Sequence, residues 1–176
     1  TKLLGDLLRY MDDVASESGM ALDPDADTYR LMEAAVNASP YITEIMGQAR
    51  GFGVTAIVHG SVSPEVRRKL DSLAADMLLR TEWLDRSMGY AYRANASLEG
   101  KLKATASEGS NAARELLQLM DSKILNAAKI EIKGPDYFAT ATAAIDKQSA
   151  TYDAITRAFD ELLETRISNK NRSRWM

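Results

Sequence analysis

Residues 63–98, SPEVRRKLDSLAADMLLRTEWLDRSMGYAYRANASL, decide the fold of this chain. Leu70, Met77, Leu84, Ala91 and Leu98 recur at strict sevens, with Val66, Leu73 and Met88 filling the alternate positions. A seam of that period belongs to left-handed helical bundle packing, because it keeps one apolar stripe turned toward a neighbouring helix over many turns. The stretch also announces its own start. Ser63 is a capping residue, Pro64 suits the first helical position, and Glu65 places negative charge at the positive end of the helix dipole. Downstream, the pattern can continue through Leu102, Leu116, Met120 and Ile124 toward Ile132. Asn95, Gly100, Gly109 and Asn111 equally permit a break between 95 and 111, and both readings stand.

Outward from this seam the rest of the chain reads as helix. Residues from about Lys2 to Ser16 carry Leu4, Leu7, Leu8, Met11 and Val14 at three- and four-residue spacings, and Gly19 ends the run. A second helix is expected from about Pro24 to His59, with Asp23 as its cap and Asp25 and Asp27 in its first turn. Pro40 lies inside it, where the missing N–H predicts a kink or a fresh start capped by Ser39. Gly47, Gly51 and Gly53 weaken its second half. Gly134-Pro135 is a firm stop before a last helix of about Asp136 to Asn169. There Phe138, Ile145, Tyr152 and Phe159 repeat the sevens, joined by Ile155, Leu162 and Ile167. At 1.5 Å per residue it spans about 50 Å, a length suited to a rod standing on a membrane. The expected fold is all-α, an elongated antiparallel bundle of four to five helices formed by residues 1–176 as one domain.

Composition agrees. With 176 residues the chain can bury a sizeable core, and only 10 glycines and 4 prolines against many Ala, Leu, Met and Glu favour helix over strand. A net charge of -3 argues against a nucleic-acid partner. The absence of cysteine excludes disulfides and thiolate metal sites and is compatible with an oxidising compartment. No run approaches the roughly 20 apolar residues of a membrane span.

Little in the sequence points to catalysis. Asp23-Pro24-Asp25-Ala26-Asp27 has the one, three, five spacing of a calcium loop, but position six is Thr28 where glycine is needed and position twelve is Ala34 where a bidentate Glu belongs. No metal is expected there. His59 is the single histidine, and it precedes Gly60 at a helix end, where a cation complements the dipole. Ala56 occupies the position three before it, so no Glu-x-x-His pair exists for a di-iron bundle. No Gly-rich phosphate loop, no G-x-S-x-G and no hydrolytic triad can be assembled. Neither a catalytic residue nor a cofactor is expected.

Three segments carry a family resemblance. Ser18–Phe52 contains ALDPDADTYRLM and then QARGF, followed by Gly53, Tyr137–Asp146 reads YFATATAAID, and Leu162–Ile167 reads LLETRI. In this order they resemble the extracytoplasmic sensor region of bacterial transmembrane receptors, both methyl-accepting chemoreceptors and sensor histidine kinases. That region has an LDPD segment, a Pro-containing helix with R-G-x-G, a YF-x-x-A-T-x-x-I-D block and an LL-x-x-RI that leads into a membrane span. Family members carry a further helix before the equivalent of Leu3, so a trimmed ectodomain is expected. The resemblance implies a periplasmic domain of an inner-membrane receptor, attached through flanking spans, forming a homodimer and binding a small and possibly anionic molecule. A signal bound between helices, or across a dimer interface, would favour one packing of the bundle, and the last helix would carry a shift of about 1–2 Å or a rotation toward the membrane. The basic tail Lys170–Met176, with Trp175, reads as a membrane-interface anchor in that setting.

A sensor of a small carboxylate needs a bidentate donor held between helices, which makes the arginines the first candidates. Arg50 leads, because it falls on R-G-x-G and its neighbours Gly47, Gly51 and Gly53 would permit close approach. Arg30, Arg80, Arg93 and Tyr29 follow, and Trp83, Tyr90, Tyr92, Tyr137 and Tyr152 could line a pocket or simply fill the core. The competing reading is a helical scaffold or coiled-coil interaction domain that binds no small molecule. A sensor buries an Arg or Tyr cluster that its own chain leaves partly unsatisfied, whereas a scaffold exposes an apolar seam.

Overall fold

A computed structural model describes residues 2–174, and the side chains of residues 2–169 apart from Ala21. The basic tail that reads as a membrane anchor therefore lies outside the described side chains. Six α-helices follow in order: α1 (Lys2–Glu17), α2 (Ala26–Met32), α3 (Ser39–His59), α4 (Pro64–Ala94), α5 (Ala96–Met120) and α6 (Gly134–Arg174). A short 3₁₀ turn covers Met20–Leu22, and π-helical turns cover Glu33–Ala38 and Asp121–Leu125. Among the described residues there is no strand.

α3, α4, α5 and α6 pack in a closed cycle, each against the next, and neighbours run antiparallel, as where Lys101 and Thr105 of α5 meet Glu161 and Thr151 of α6 in reverse order. Asp85 of α4 accepts from Ser110 Oγ of α5 at 2.6 Å, and Arg50 of α3 meets Thr142 of α6. The result is an up-down-up-down four-helix bundle, with α2 extending α3 through the first π turn and α1 packed outside. The seam of sevens is its core: Leu70, Met77, Leu84, Ala91 and Leu98 are all buried.

The α4–α5 connection settles the open break at Asn95. Its extended backbone (φ -147°, ψ 98°) ends α4, and its side-chain oxygen accepts from Ser97 N at 3.2 Å to cap α5. Ser63 caps α4 as expected, accepting from Val66 N at 3.2 Å. Gly60, in the left-handed conformation (φ 63°), closes α3 and permits the turn to α4.

Three expectations change. The second helix starts at Ala26 rather than Pro24, because the Asp23 carboxylate is drawn into bonds with Asp25 N (2.9 Å) and Thr28 Oγ1 (2.5 Å) that hold 23–25 extended. Pro40 does stand in the first turn of a fresh α-helical segment, but Ser39 does not cap it. Ser39 is itself helical, its buried hydroxyl has no partner, and its N–H bonds back five residues to Ala34 O, so a π turn absorbs the disruption before the proline. Arg80 Nη1 supplies a donor to Asn37 O in that same turn (2.8 Å).

The third change is on α6. Of the expected stripe Ile155 and Phe159 are buried, Ile145, Tyr152 and Leu162 are half-buried, and Phe138 and Ile167 are exposed; the buried face is completed by Tyr137, Ala141, Ala144, Gln148, Thr151 and Ala158, which the sevens did not mark. This face contains small and polar residues, so hydrophobicity alone marks only part of it. It packs where glycines admit it. Gly53 makes room for the Tyr137 ring, and Gly109 makes room for Thr151 and Gln148.

Candidate functional site

Arg50 leaves the third turn of α3 and lies over α6. Its Nη1 donates to Thr142 Oγ1 at 2.7 Å, and its guanidinium carbon sits 4.5 Å from the centroid of the Phe138 ring. Thr142 in turn donates to its own helix at Phe138 O (2.8 Å), so both partners of Arg50 are fixed by one turn of α6. Phe138, expected in the core, is a half-exposed platform for this guanidinium. No carboxylate pairs with Arg50 among the described residues. The side chain is half-buried and four of its five donors remain uncommitted to any described residue.

The glycines around it do something other than the sequence suggests. A Cβ at Gly47 or Gly51 would meet nothing within 4 Å, whereas Gly53 serves the packing of Tyr137. Tyr137 is fully buried, donates to Ala49 O at 3.0 Å, and has its phenol pushed well above the usual tyrosine range by burial. The R-G-x-G of α3 and the YF of α6 thus form one unit, with Tyr137 keyed into Gly53 and Phe138 under Arg50.

The other candidates do not converge on Arg50. Arg30 is held by Glu33 at 2.6 Å and stacks on the rings of Tyr29 (5.3 Å) and Tyr90 (4.7 Å). The nearby Glu33 carboxylate, accepting the Tyr29 hydroxyl, raises that phenol above its ordinary value. Arg93 stacks on Tyr90 as well, 4.5 Å from the centroid, at the surface. Arg80 is committed to Asn37 O and to the Tyr41 ring at 4.1 Å. Burial and the Asp12 carboxylate push the Tyr41 phenol up to about 12, and its hydroxyl donates to Asp12 Oδ2 at 2.6 Å, tying α1 to α3. Tyr92 reaches about 12 through burial, then through Glu99 and Asp85, and its buried hydroxyl has no partner. Trp83 and Tyr152 are half-buried at the edge of the bundle, and His59 is exposed at the end of α3.

Sequence reasoning missed one residue. Arg166, within the LL-x-x-RI segment of α6, is clamped by the aspartates read as helix caps. It bonds Asp27 at 2.5 Å, Asp25 at 3.0 Å, Asp23 at 3.3 Å and the hydroxyl of Thr28. Asn95 Nδ2 also donates to Asp27 (3.0 Å), so the α1–α2 loop, the α4–α5 junction and the far end of α6 meet in one polar knot. Burial opposes ionisation of Asp27, yet Asn95, the Thr28 N–H and Arg166 together hold its carboxyl below the usual value. The acidic run and LL-x-x-RI were both visible in the sequence. Their pairing across 139 residues was not.

The chain is thus a closed four-helix bundle in which Arg50 bridges α3 and α6. Residues 1–160 match the family described as NIT, nitrate and nitrite sensing, and the chain belongs to that family. Its members are extracytoplasmic sensing domains of bacterial receptors, as the three sequence segments suggested, and the domain is one of sensing rather than catalysis. No match was found among curated proteins or among solved structures. Among the described residues no helix is long and apolar enough to cross a membrane.

Proposed function

We propose that this chain is the periplasmic signal-binding domain of an inner-membrane receptor, a sensor histidine kinase or a chemoreceptor, and that it binds nitrate or nitrite at Arg50. The observation that carries the reading is the state of that guanidinium. It is half-buried, oriented by Thr142 and Phe138, and has no counter-ion among the described residues. A planar oxyanion fits the fork of a guanidinium edge to edge. Because Thr142 and Phe138 stand on α6, an anion there would pull on the helix whose far end carries Arg166, and a displacement of α6 is the output.

The receptor is read as a homodimer attached through spans flanking this domain. Support comes from α1, where Leu3, Leu7, Tyr10 and Val14 stand exposed at alternating four- and three-residue spacing, a seam that the bundle itself leaves uncovered. Isothermal calorimetry with sodium nitrate, sodium nitrite and sodium chloride on the wild-type chain, Arg50→Ala and Arg50→Lys tests the reading. Binding of nitrate or nitrite but not chloride, lost in Arg50→Ala, is the expected result. Equal binding by Arg50→Ala removes Arg50 from the site.

A further inference from the structure

Under α1 the bundle holds a cleft that the Arg50 site does not use. Its volume is about 410 Å³, and Leu4, Leu8 and Met11 of α1, Pro40 of α3 and Tyr152 of α6 form its walls. The cleft stays open because α1 is lightly held. Only Leu8 and Ala15 of that helix are buried, and its one side-chain bond to the bundle among the described residues is Asp12 with the Tyr41 hydroxyl. Two polar groups in the cleft are unengaged. Ser149 and Tyr152 stand three apart on α6, hence on one face of it, and neither hydroxyl has a hydrogen-bond partner among the described residues. The hydroxyl of Thr43, also in the cleft, is committed to Ser39 O at 3.1 Å. The charge is negative: Glu44 lines the cleft, and among the described residues no arginine, lysine or histidine does.

We propose that this cleft binds a small, uncharged aromatic molecule carrying an N–H or O–H donor. Size, wall chemistry and charge each narrow the class. An apolar cavity of about 150 Å³ already holds benzene, so this cleft has room for a two-ring molecule. The alkyl and proline walls favour an apolar body, and Tyr152 offers a ring on which an aromatic can stack. The Ser149 and Tyr152 oxygens can accept from a donor on that body. An anion would instead lie near Glu44 with no cation in the cleft to offset the repulsion, so the cleft rejects the oxyanions that suit a guanidinium. The two sites are separate, since Glu44 precedes Arg50 by six residues, about 9 Å along α3. A ligand in the cleft touches α1, α3 and α6 together and so fastens α1 to the bundle.

The test uses the chain without nitrate, so its failure leaves the Arg50 reading untouched. Indole is the probe, indole-3-acetate is its anionic counterpart, and ¹³C-methyl NMR spectra locate the binding. Indole should shift the Leu4, Leu8 and Met11 methyls saturably, with a midpoint on the order of 1 mM or below, and leave the Leu84 methyls unmoved. Indole-3-acetate should bind at least about tenfold more weakly. Ser149→Trp, which fills the cleft from α6, should abolish the shifts. Should that variant not fold, the methyl map and the anion comparison decide without it. Absent or unsaturable shifts at the three α1 residues, equal midpoints for the two compounds, or shifts that persist in a folded Ser149→Trp chain overturn the proposal. So do shifts of the same methyls on diluting the chain alone, which would give the cleft to a second copy through Leu7, a residue that the cleft shares with the exposed stripe of α1.

Discussion

The Tyr137 ring occupies the space that a side chain on Gly53 would need: a Cβ there would lie 2.4 Å from Tyr137 Cε1 and 2.5 Å from its hydroxyl oxygen. The pair keys α6 to α3 one turn from the Arg50 site and sets the rotation that puts Phe138 under the guanidinium. Gly53→Ala should therefore destabilise the fold by about 1–3 kcal/mol despite alanine's better helix propensity, because a fully buried ring must move. Tyr137→Phe, which loses only the bond to Ala49 O, should lose about 1 kcal/mol. Urea unfolding monitored by circular dichroism compares them, and a Gly53→Ala chain as stable as wild type would show that the ring yields easily.

Truncation separates the buried residues of the bundle from Phe138, which the sevens also assigned to the core. Leu84→Ala and Ile155→Ala, both fully buried, should lose about 2–5 kcal/mol through the cavities left. Phe138→Ala, at a half-exposed ring, should lose under about 1.5 kcal/mol and instead impair anion binding. The surface change Glu164→Gln should do little. Equal melting temperatures for Ile155→Ala and Phe138→Ala would put the wrong face of α6 in the core.

Acid should loosen the knot at Arg166 from one side. Asp27 is held below its ordinary value in the fold, so its contribution is fully present above its unfolded pKa of about 4 and is lost as pH falls through the folded value. Asp27→Asn should accordingly lower stability at pH 7 by about 1–2 kcal/mol and flatten the fall in stability below about pH 4. Thermal melts from pH 7 to pH 2.5 check it. A mutant with the wild-type acid slope would clear Asp27 of the role.

If nitrate or nitrite binds at Arg50, Arg50→Ala should lose about 2–5 kcal/mol of binding, enough to abolish a micromolar interaction. Thr142→Val should lose less, on the order of 1 kcal/mol, because it removes an orienting hydroxyl and no charge. Ligand-induced rise in Tm reads both. Arg93→Ala should leave the response intact, and a response lost in Arg93→Ala but kept in Arg50→Ala would move the site to Tyr90.

The α1 seam gives a test of assembly that the cysteine-free chain makes clean. Leu7→Cys and Val14→Cys lie on one stripe and should each cross-link to themselves under mild oxidation in the full receptor. Lys2→Cys, off the stripe, should not. Efficient cross-linking at Lys2 and none at Leu7 would point to a different interface.

The sequence alone determined that the chain is a helical bundle, where α4 begins and which residues of α4 face inward, because Ser63-Pro64-Glu65 and the sevens from Leu70 to Leu98 are local signals that need no partner to be read. It also placed Arg50 and its family segment. Only the tertiary structure decided the full face of α6, since Tyr137, Gln148 and Thr151 become core residues by fitting against glycines on other helices, and no periodicity of hydrophobicity records that fit. The same holds for the aspartates from 23 to 27. Within their own turn they are indistinguishable from helix caps, and they become the seat of Arg166 only once a bundle brings the end of α6 beside them.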